Sequence, residues 1–396
     1  MLVVKNVSLL LGGELDYIEK GYISIDGDKI KNAASGEYRG STKALDGSGF
    51  LVMPGLINAH THIGDSIGKD VAIGHKLDPR VHPVFGVKKM ILQKSPSEYL
   101  KAFIRNSAIS MMKKGIVAFA DFREDGPEGI RLLKEAIHGL PIKCVCLGRT
   151  TFYTKPNDTM IPLAEAEKQV QNVLKTADGL GISGANENTD TMLLKYRQLA
   201  GKKQVAIHAA ESKETVTFSK VHTGRSEVDR IMDYLKPDFV VHMTNATEDE
   251  ILAIAKDGIG IVICPRANGV LGVGIPRLSL MLRHKCLVAI GTDNVMLNSP
   301  DVLRELDYIW KASRATEGEM VEPRELLKMA TINAAKILRL DTGCIEIGRS
   351  ADLLFIDKKH FDLSPMHDPY AAIVHRLSQS SIKAVMIDGQ FVEAVN

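Results

Sequence analysis

Eight short apolar segments, separated by longer stretches of helical composition, occupy the chain between about Phe50 and Asp293. This alternation is the pattern of repeated βα units around a parallel sheet. One of the intervening helices also has a start signal, because Thr247 is followed three residues later by Glu250, as in a capping box. Eight such units predict a TIM barrel, whose functional side chains lie at the carboxyl ends of the strands. The segments are FLVMPGLINAH, GIVAFADF, PIKCVCLG, GLGISGAN, QVAIHAAE, DFVVHMT, IGIVICP and CLVAIGTD.

The two ends of the chain have a different texture from its middle. Before the first barrel segment, short apolar runs are separated by turn-forming pairs such as Gly12-Gly13, which is typical of antiparallel strands. The C-terminal segments ADLLFID, IKAVMIDG and QFVEAV return to this style. We therefore expect an α/β protein, a TIM barrel with a small β-sandwich domain built from both termini. The predicted bounds are 1–52 and 345–396 for the β-domain and 53–344 for the barrel.

The composition indicates a globular protein without a polyanionic partner. Lysine and arginine number 50 against 48 acidic residues, so the net charge of +2 provides no field that would recruit nucleic acid or an anionic membrane. The N-terminal apolar stretch is interrupted by Lys5, Asn6 and Ser8 and does not resemble a signal peptide. No segment approaches the roughly 18 apolar residues of a spanning helix. We expect a soluble, cytoplasmic protein, and its five cysteines predict no disulfide framework.

Polar side chains stand where the apolar segments end. His60 and His62 end the first segment, where residues two apart on a strand share one face. His208 is near the end of the fifth segment, His242 of the sixth, and Asp293 of the eighth. Three imidazole nitrogens and a carboxylate oxygen are ligands of a catalytic zinc ion, which lowers the pKa of its water to about 7. The alternative is that each histidine only caps its strand through a backbone hydrogen bond.

Glu211 follows His208 by three residues, where the chain leaves the fifth strand for the loop at the barrel mouth. Its carboxyl group there faces substrate rather than metal in our interpretation. A buried carboxyl group with a raised pKa can donate a proton to a ring nitrogen or a leaving amine, as a general acid does. The alternative is a solvated acid at the start of the next helix, where negative charge is favoured.

Taken together, these segments resemble the amidohydrolase superfamily, specifically its cytosine-deaminase and chlorohydrolase-like branch, which includes S-adenosylhomocysteine and guanine deaminases. The resemblance covers almost the whole chain. VMPGLINAHTHI is similar to the first-strand motif of the family, HAAE to the fifth, VVHMT to the sixth, CPRANGVLGVGIP to the seventh and GTDN to the eighth. MATINAAKILRLDTGCIEIGRSADLLFID is similar to the closing helix and the return to the β-domain.

The resemblance implies a role for each of these residues. One divalent metal ion per chain, zinc in the first place and iron as the alternative, would be bound by His60, His62, His208 and Asp293. His242 would orient the water that the metal activates, Asp293 would also accept its proton, and Glu211 would relay a proton to the substrate. Branches with two metals use a carboxylated lysine on the fourth strand. The fourth segment here, GLGISGANENT, has no lysine, which favours a single ion.

Two departures from the family pattern concern the substrate. Adenosine-type deaminases of this branch have a Trp-Leu pair and a later glutamate after the first strand, and a histidine on the fourth strand. This chain has HKLDPRVHPVFGVKKM and GANENT at those places, and its one tryptophan, Trp310, lies elsewhere. These departures weaken the expectation of an adenosine-like substrate and leave the substrate-binding residues unknown.

The leading hypothesis is a metal-dependent aminohydrolase that releases ammonia from a heterocyclic small molecule. A second hypothesis is hydrolytic ring opening of a cyclic amide, as in imidazolonepropionase-like relatives. A third is a non-catalytic scaffold that retains the barrel, which the full set of ligands disfavours. The expected partner is a small-molecule substrate, with neither nucleic acid nor a membrane, and assembly into a homo-oligomer is left open.

Overall fold

The structure is a computed structural model that describes residues 1–392. Its strands fall into a mainly antiparallel sheet and a parallel sheet. In chain order the strands are β1 (Leu2–Leu11), β2 (Asp16–Asp26), β3 (Lys29–Ser35), β4 (Leu45–Asp46), β5 (Phe50–Pro54), β6 (Leu56–His62), β7 (Ile116–Arg123), β8 (Lys143–Gly148), β9 (Gly179–Ile182), β10 (Gln204–Ala209), β11 (Phe239–His242), β12 (Gly260–Ile263), β13 (Val288–Ile290), β14 (Asp293–Asn294), β15 (Leu353–Asp357), β16 (Ile382–Ile387) and β17 (Gln390–Phe391).

Helices fill most of the connections between the parallel strands. They are α1 (Leu77–Val81), α2 (Val87–Lys94), α3 (Ser97–Lys113), α4 (Gly126–Ile137), α5 (Leu163–Leu174), α6 (Asp190–Ala200), α7 (Lys213–Thr223), α8 (Glu227–Arg230), α9 (Glu248–Lys256), α10 (Pro265–Leu271), α11 (Leu278–Arg283), α12 (Val302–Glu317), α13 (Pro323–Met329), α14 (Ile332–Leu338) and α15 (Pro369–Arg376), with 3₁₀ turns at Ile63–Gly68 and Gln379–Ser381 and a π turn at Ile231–Leu235. Across residues 1–392, no helix combines the length and apolar character needed to cross a membrane.

The parallel sheet is a TIM-like barrel. Its strand order is β13-β12-β11-β10-β9-β8-β7-β6-β14, which follows the chain. The last segment supplies two short strands: β13 pairs with β12, whereas β14 pairs with β6 through Asp293 opposite Thr61 and Asn294 opposite His62. The two ends of the sheet therefore meet. Every residue of β6 and β7 is buried, as expected for parallel strands that are covered on both faces.

The first apolar segment is two strands rather than the single barrel strand that we predicted. Phe50–Pro54 forms β5, which pairs antiparallel with β15 in the other sheet, and only Leu56–His62 enters the barrel as β6. Gly55 separates them, and its backbone lies so close to Val117 that a Cβ atom there would come within 2.3 Å of that side chain. The change of sheet thus falls at a residue without a side chain.

The second sheet contains strands from both ends of the chain, in the order β17-β16-β15-β5-β1-β2-β3, with β4 paired to β1. These strands share an apolar cluster of their own, which includes Val7, Leu9, Ile23 and Leu353. Its finer description as a sandwich, and the domain division at residues 52 and 345, stay predictions. The last residues of the predicted C-terminal part, 393–396, lie outside the described residues.

Candidate metal centre

Four predicted ligands from three strands, β6, β10 and β14, converge at the carboxyl end of the barrel. The ligand atoms of His60, His62, His208 and Asp293 all lie within 4.8 Å of one another. Nε2 of His208 is 3.3 Å from Nε2 of both other histidines. Oδ1 of Asp293 is 3.4 Å from Nε2 of His60 and 3.5 Å from Nε2 of His62. Four ligand atoms therefore face one small space.

In two of these rings, the hydrogen bond on the side away from the other ligands shows which nitrogen carries the proton. Nδ1 of His62 lies 3.2 Å from the carbonyl oxygen of Phe122, and Nδ1 of His208 lies 3.0 Å from that of Ile182. A carbonyl oxygen only accepts, so each Nδ1 carries the proton and each Nε2 has a free lone pair. Two lone pairs 3.3 Å apart repel each other unless a cation lies between them. Nitrogens bound at 2.0–2.1 Å in a tetrahedron are about 3.3–3.4 Å apart, so the residues fit a metal ion.

The charges of these side chains also suit a cation. Burial, together with the nearby charge of Lys88, lowers the pKa of His62 to about 3. Burial and the neighbouring histidines lower the pKa of His208 well below its usual value. For Asp293, burial acts in the opposite direction, but the surrounding histidines hold the pKa of this carboxyl group below its usual range. Neutral imidazoles and an ionised carboxylate are the protonation states that bind metal.

His242, at the end of β11, lies beside this group. Its Nδ1 is 3.0 Å from Oδ1 of Asn268, whose Nδ2 donates to Oγ1 of Thr244 at 2.5 Å. Since the amide nitrogen is engaged by Thr244, the amide oxygen faces the ring, and His242 donates from Nδ1. Burial lowers the pKa of His242 to about 4. Its Nε2 is therefore a hydrogen-bond acceptor that faces the centre.

Glu211 lies on the other side of this acceptor. Its Oε1 is 3.6 Å from Nε2 of His242, and carboxylate oxygens of Glu211 and Asp293 are within 4.8 Å of each other and of that ring. Burial, and then the negative charge of Asp293 and other nearby carboxylates, raises the pKa of Glu211 well above its usual value. These surroundings favour the protonated form of the carboxyl group, which is the form that can donate a proton.

The backbone is strained at two of these positions. His242 has φ +79° and Asp293 has φ +60°, the left-handed region that residues with a side chain rarely adopt. His242 is the last residue of β11, and Asp293 is the first residue of β14, just after the end of β13. Such conformations cost on the order of 1–3 kcal/mol each and persist where the surrounding structure imposes them, commonly at functional sites.

A cavity of about 650 Å³ opens above the centre. Besides the converging residues, its walls include Asp78 and His82 from the loop after β6, Arg149 after β8 and Glu187 after β9. Arg149 is 7% exposed, and its Nε donates to the carbonyl oxygen of Gly181 at 3.3 Å. Its guanidinium group places a positive charge at the wall of the cavity, and this charge acts against the burial that raises the pKa of the nearby Glu187 carboxyl group.

Comparison with known proteins agrees with the family resemblance drawn from the strand-end motifs. The model of the amidohydrolase family matches residues 51–392. The chain belongs to the amidohydrolase family. This amidohydrolase is therefore a hydrolase that acts on carbon–nitrogen bonds, and the resemblance inferred from the strand-end motifs is confirmed.

Relatives of this amidohydrolase match it over nearly their whole length. A putative aminohydrolase of Methanothermobacter thermautotrophicus is 38% identical over 99% of both chains. The 5-methylthioadenosine/S-adenosylhomocysteine deaminase of Halobacterium salinarum is 26% identical over 94% of this chain and 88% of its own. Among solved structures, an atrazine chlorohydrolase of Arthrobacter aurescens complexed with zinc superposes with a TM-score of 0.86 at 21% identity, covering 99% and 95% of the two chains. That likeness supports the fold.

Several polar residues of the centre in this amidohydrolase were missed from sequence. Asn268 and Arg149 belong to this group, as do Lys88 and Glu124, which are 5% and 8% exposed beside His62. Asn268 could have been predicted from sequence, because it lies in the CPRANGV segment that follows a barrel strand. Lys88 could not, since it comes from helix α2 and its sequence context is that of a solvent-exposed charge.

Proposed function

We propose that this amidohydrolase is an aminohydrolase with one metal ion, and that it releases ammonia from a small heterocyclic molecule. The proposal rests on the orientation of His62 and His208. Backbone carbonyl groups hold Nδ1 of each ring, so that the lone pairs on the two Nε2 atoms face one point beside the Asp293 carboxylate. This arrangement is unfavourable without a cation and favourable with one. It lies beneath a cavity that also contains the carboxyl group of Glu211, whose pKa is raised by burial.

His60, His62, His208 and Asp293 would hold the ion, and zinc is the metal that the histidine-rich ligand set favours. When bound, a divalent ion of this kind supplies a water molecule of lowered pKa as the nucleophile. Zinc is also present in the related chlorohydrolase structure. The ligand types thus support zinc over harder cations, which prefer oxygen ligands.

The remaining groups divide the proton transfers between them. His242 accepts a hydrogen bond at Nε2 from the attacking water and so orients it, because its Nδ1 proton is engaged by Asn268. Asp293 is ionised and takes up the proton that this water loses. Glu211 donates its proton to the ring nitrogen, which lets the carbon accept the hydroxide. The proton taken up by Asp293 then passes to the amino group, which leaves as ammonia when the carbon–nitrogen bond breaks, and the new hydroxyl group returns a proton to Glu211. Each role follows from the protonation state that the surroundings impose.

The cavity supports a substrate of nucleobase or nucleoside size with a polar substituent. Its volume of about 650 Å³ lies within the range of small-molecule sites. Arg149 offers its guanidinium group to an electron-rich substituent, while Asp78 and Glu187 offer acceptors. Relatives named as 5-methylthioadenosine/S-adenosylhomocysteine deaminase act on aminopurines, which fits the proposed reaction, although the tryptophan and strand-four histidine of that group are absent from this sequence.

The experiment is an ammonia-release screen over purines, pyrimidines, pterins and their nucleosides with zinc-reconstituted protein. We expect ammonia from at least one aminated heterocycle, with loss of the activity after chelation. The ring-opening alternative is tested in the same samples by mass spectrometry, because it yields a hydrolysed acid without ammonia. Ring-opened product alone would replace the proposed reaction while leaving the metal centre in place.

A further inference from the structure

A buried group of charged side chains lies behind His62, on the side of the ring that faces away from the other ligands. Glu124 follows strand β7 and is 8% exposed, and Lys88 comes from helix α2 and is 5% exposed. We infer that Glu124 and Lys88 form a positioning pair that fixes the His62 ring for metal binding and joins helix α2 to the metal centre. The inference rests on the proposed metal site.

The first observation is that the Glu124 carboxylate lies behind the His62 ring. Its Oε1 is 2.8 Å from Nδ1 of His62, closer than the carbonyl oxygen of Phe122 at 3.2 Å. Its Oε2 accepts from Nη2 of Arg123 at 2.8 Å, which anchors the carboxylate on the side away from the ring. A carboxylate behind a ligating histidine keeps the proton on Nδ1, orients the ring and strengthens the other nitrogen as a ligand.

The second observation is that the Lys88 ammonium group lies between Glu124 and Asp65. Its Nζ forms a close ion pair with Oε1 of Glu124 and lies 3.7 Å from Oδ2 of Asp65. Asp65 accepts from Nδ2 of Asn294 at 2.7 Å, and Asn294 directly follows the ligand Asp293. Burial of a lysine is costly unless its charge is paired, so Glu124 and Asp65 stabilise the packing of helix α2 in this position by receiving its ammonium group. The chain of contacts links α2, β6 and β14.

The charged groups around Glu124 come from several elements. Lys88 and Arg123 face Glu124 from α2 and β7, while Asp65 and Asp121 supply the other carboxylates of the cluster. Lys88 also lines the cavity, so direct contact with substrate is the competing role for this residue. Metal affinity measured without substrate separates the two roles, because a residue that only contacts substrate leaves this affinity unchanged.

The chain offers a matched control for Lys88. Lys89 is the next residue of the same helix and pairs with Oδ1 of Asp125 at 3.3 Å, directly beside Glu124 in sequence. Lys89→Met removes the same charge from the same helix without touching His62. The comparison therefore isolates the contact with the metal ligand from general effects of charge and packing.

The test is titration of the metal-free full-length protein with Co²⁺, followed by visible absorption, on wild type, Glu124→Gln, Lys88→Met, the double variant and Lys89→Met. We expect Glu124→Gln to weaken cobalt binding by about 10- to 100-fold, the usual effect of losing such a partner. Lys88→Met should weaken it less, because Arg123 still holds Glu124. The double variant should match Glu124→Gln alone, and Lys89→Met should match wild type.

The outcomes separate the inference from the proposed function. A wild-type protein that binds no cobalt would remove the proposed function itself. Wild-type affinity in Glu124→Gln, or a double variant whose losses add, would overturn the positioning pair and leave the metal site intact. Circular dichroism checks folding, and if Glu124→Gln is unfolded, Lys88→Met against Lys89→Met makes the same comparison. Unchanged cobalt affinity with a raised KM in Lys88→Met would assign this lysine to the substrate instead.

Discussion

At the scale of single residues, backbone carbonyl groups decide the chemistry of the centre. A neutral imidazole has one protonated and one free nitrogen, and the carbonyl oxygens of Phe122 and Ile182 accept hydrogen bonds from the protonated Nδ1 of His62 and His208. The sequence predicts which histidines end strands, because the apolar segments are visible. It does not predict the tautomers, since the carbonyl groups belong to the neighbouring strands β7 and β9.

The proposed general-acid role of Glu211 predicts that catalysis and metal binding can be separated. Glu211→Gln keeps the size of the side chain and removes its titratable group. Turnover should fall by roughly 10²–10⁴, the usual contribution of general acid–base catalysis, while the metal content per chain stays near that of wild type. The measurements are steady-state turnover on the substrate found by the screen and elemental analysis of the purified protein.

His208→Ala is the comparison for this variant, because its Nε2 is one of the four converging ligand atoms. It should lose metal and turnover together. Full activity in Glu211→Gln would show that the proton comes from another group, and His242 would be the first to examine.

Asn268 determines the hydrogen-bonding state of His242, which yields a prediction about pH. In Asn268→Asp a carboxylate would face Nδ1 of His242, and negative charge beside an imidazole raises its pKa from the wild-type value of about 4. The protonated ring could no longer accept a hydrogen bond from water. We expect the acidic limb of the pH–kcat profile to move up by about 1–2 pH units. An unmoved limb would mean that His242 does not act as an acceptor.

At the scale of secondary-structure elements, local signals predicted boundaries well where they acted within a few residues. The capping box at the start of α9 is confirmed: Oγ1 of Thr247 accepts from the backbone of Glu250 at 3.2 Å, and Oε2 of Glu250 accepts from the backbone of Thr247 at 2.7 Å. The split of the first apolar segment was missed, because Val52 and Ile57 are equally apolar although Val52 pairs with β15 in one sheet and Ile57 with β7 in the other.

The capping box gives a prediction about stability alone. Thr247 is exposed and distant in sequence from the ligands, so Thr247→Ala should remove one cap without disturbing the centre. We expect a loss of about 1 kcal/mol in the free energy of unfolding, measured in urea, with turnover unchanged. Thr247→Ser keeps the hydroxyl group and is the control, which should unfold at the wild-type urea concentration.

At the scale of the whole molecule, the barrel was predictable and the charges buried in it were not. Parallel strands that are buried on both faces appear in sequence as apolar runs, so eight runs indicate eight strands. A buried charge such as Lys88 or Glu305 has no comparable signal. Its partner lies in another part of the chain, as with Glu124 and Arg266, and only the fold brings the two together.

One buried carboxyl group makes the stability of the whole molecule depend on pH. Burial, and then the charge of Glu187, raises the pKa of Glu227 from 4.5 to about 7. The folded protein therefore holds a proton that the unfolded chain releases above pH 4.5, and stability falls as the pH rises from about 4.5 through about 7. Relative to Glu227→Gln, wild type should lose up to about 3 kcal/mol of unfolding free energy over this range.

Urea unfolding of both proteins at pH 5, 6, 7 and 8 checks this prediction. Gln retains an acceptor for the backbone of Ala210, which donates to Glu227 at 3.3 Å, so the two proteins differ mainly in the titrating group. A constant difference across the four pH values would contradict it.

The split eighth strand sets an order of events during synthesis. His60 and His62 emerge from the ribosome early, whereas Asp293 becomes available only with β14, whose pairing with β6 closes the barrel. A nascent chain therefore carries two or three ligands for most of its translation and gains the fourth with the closing strand. In the proposed site, tight metal binding thus requires a chain that extends as far as β14, and a truncated product that ends before Asp293 would bind the metal poorly.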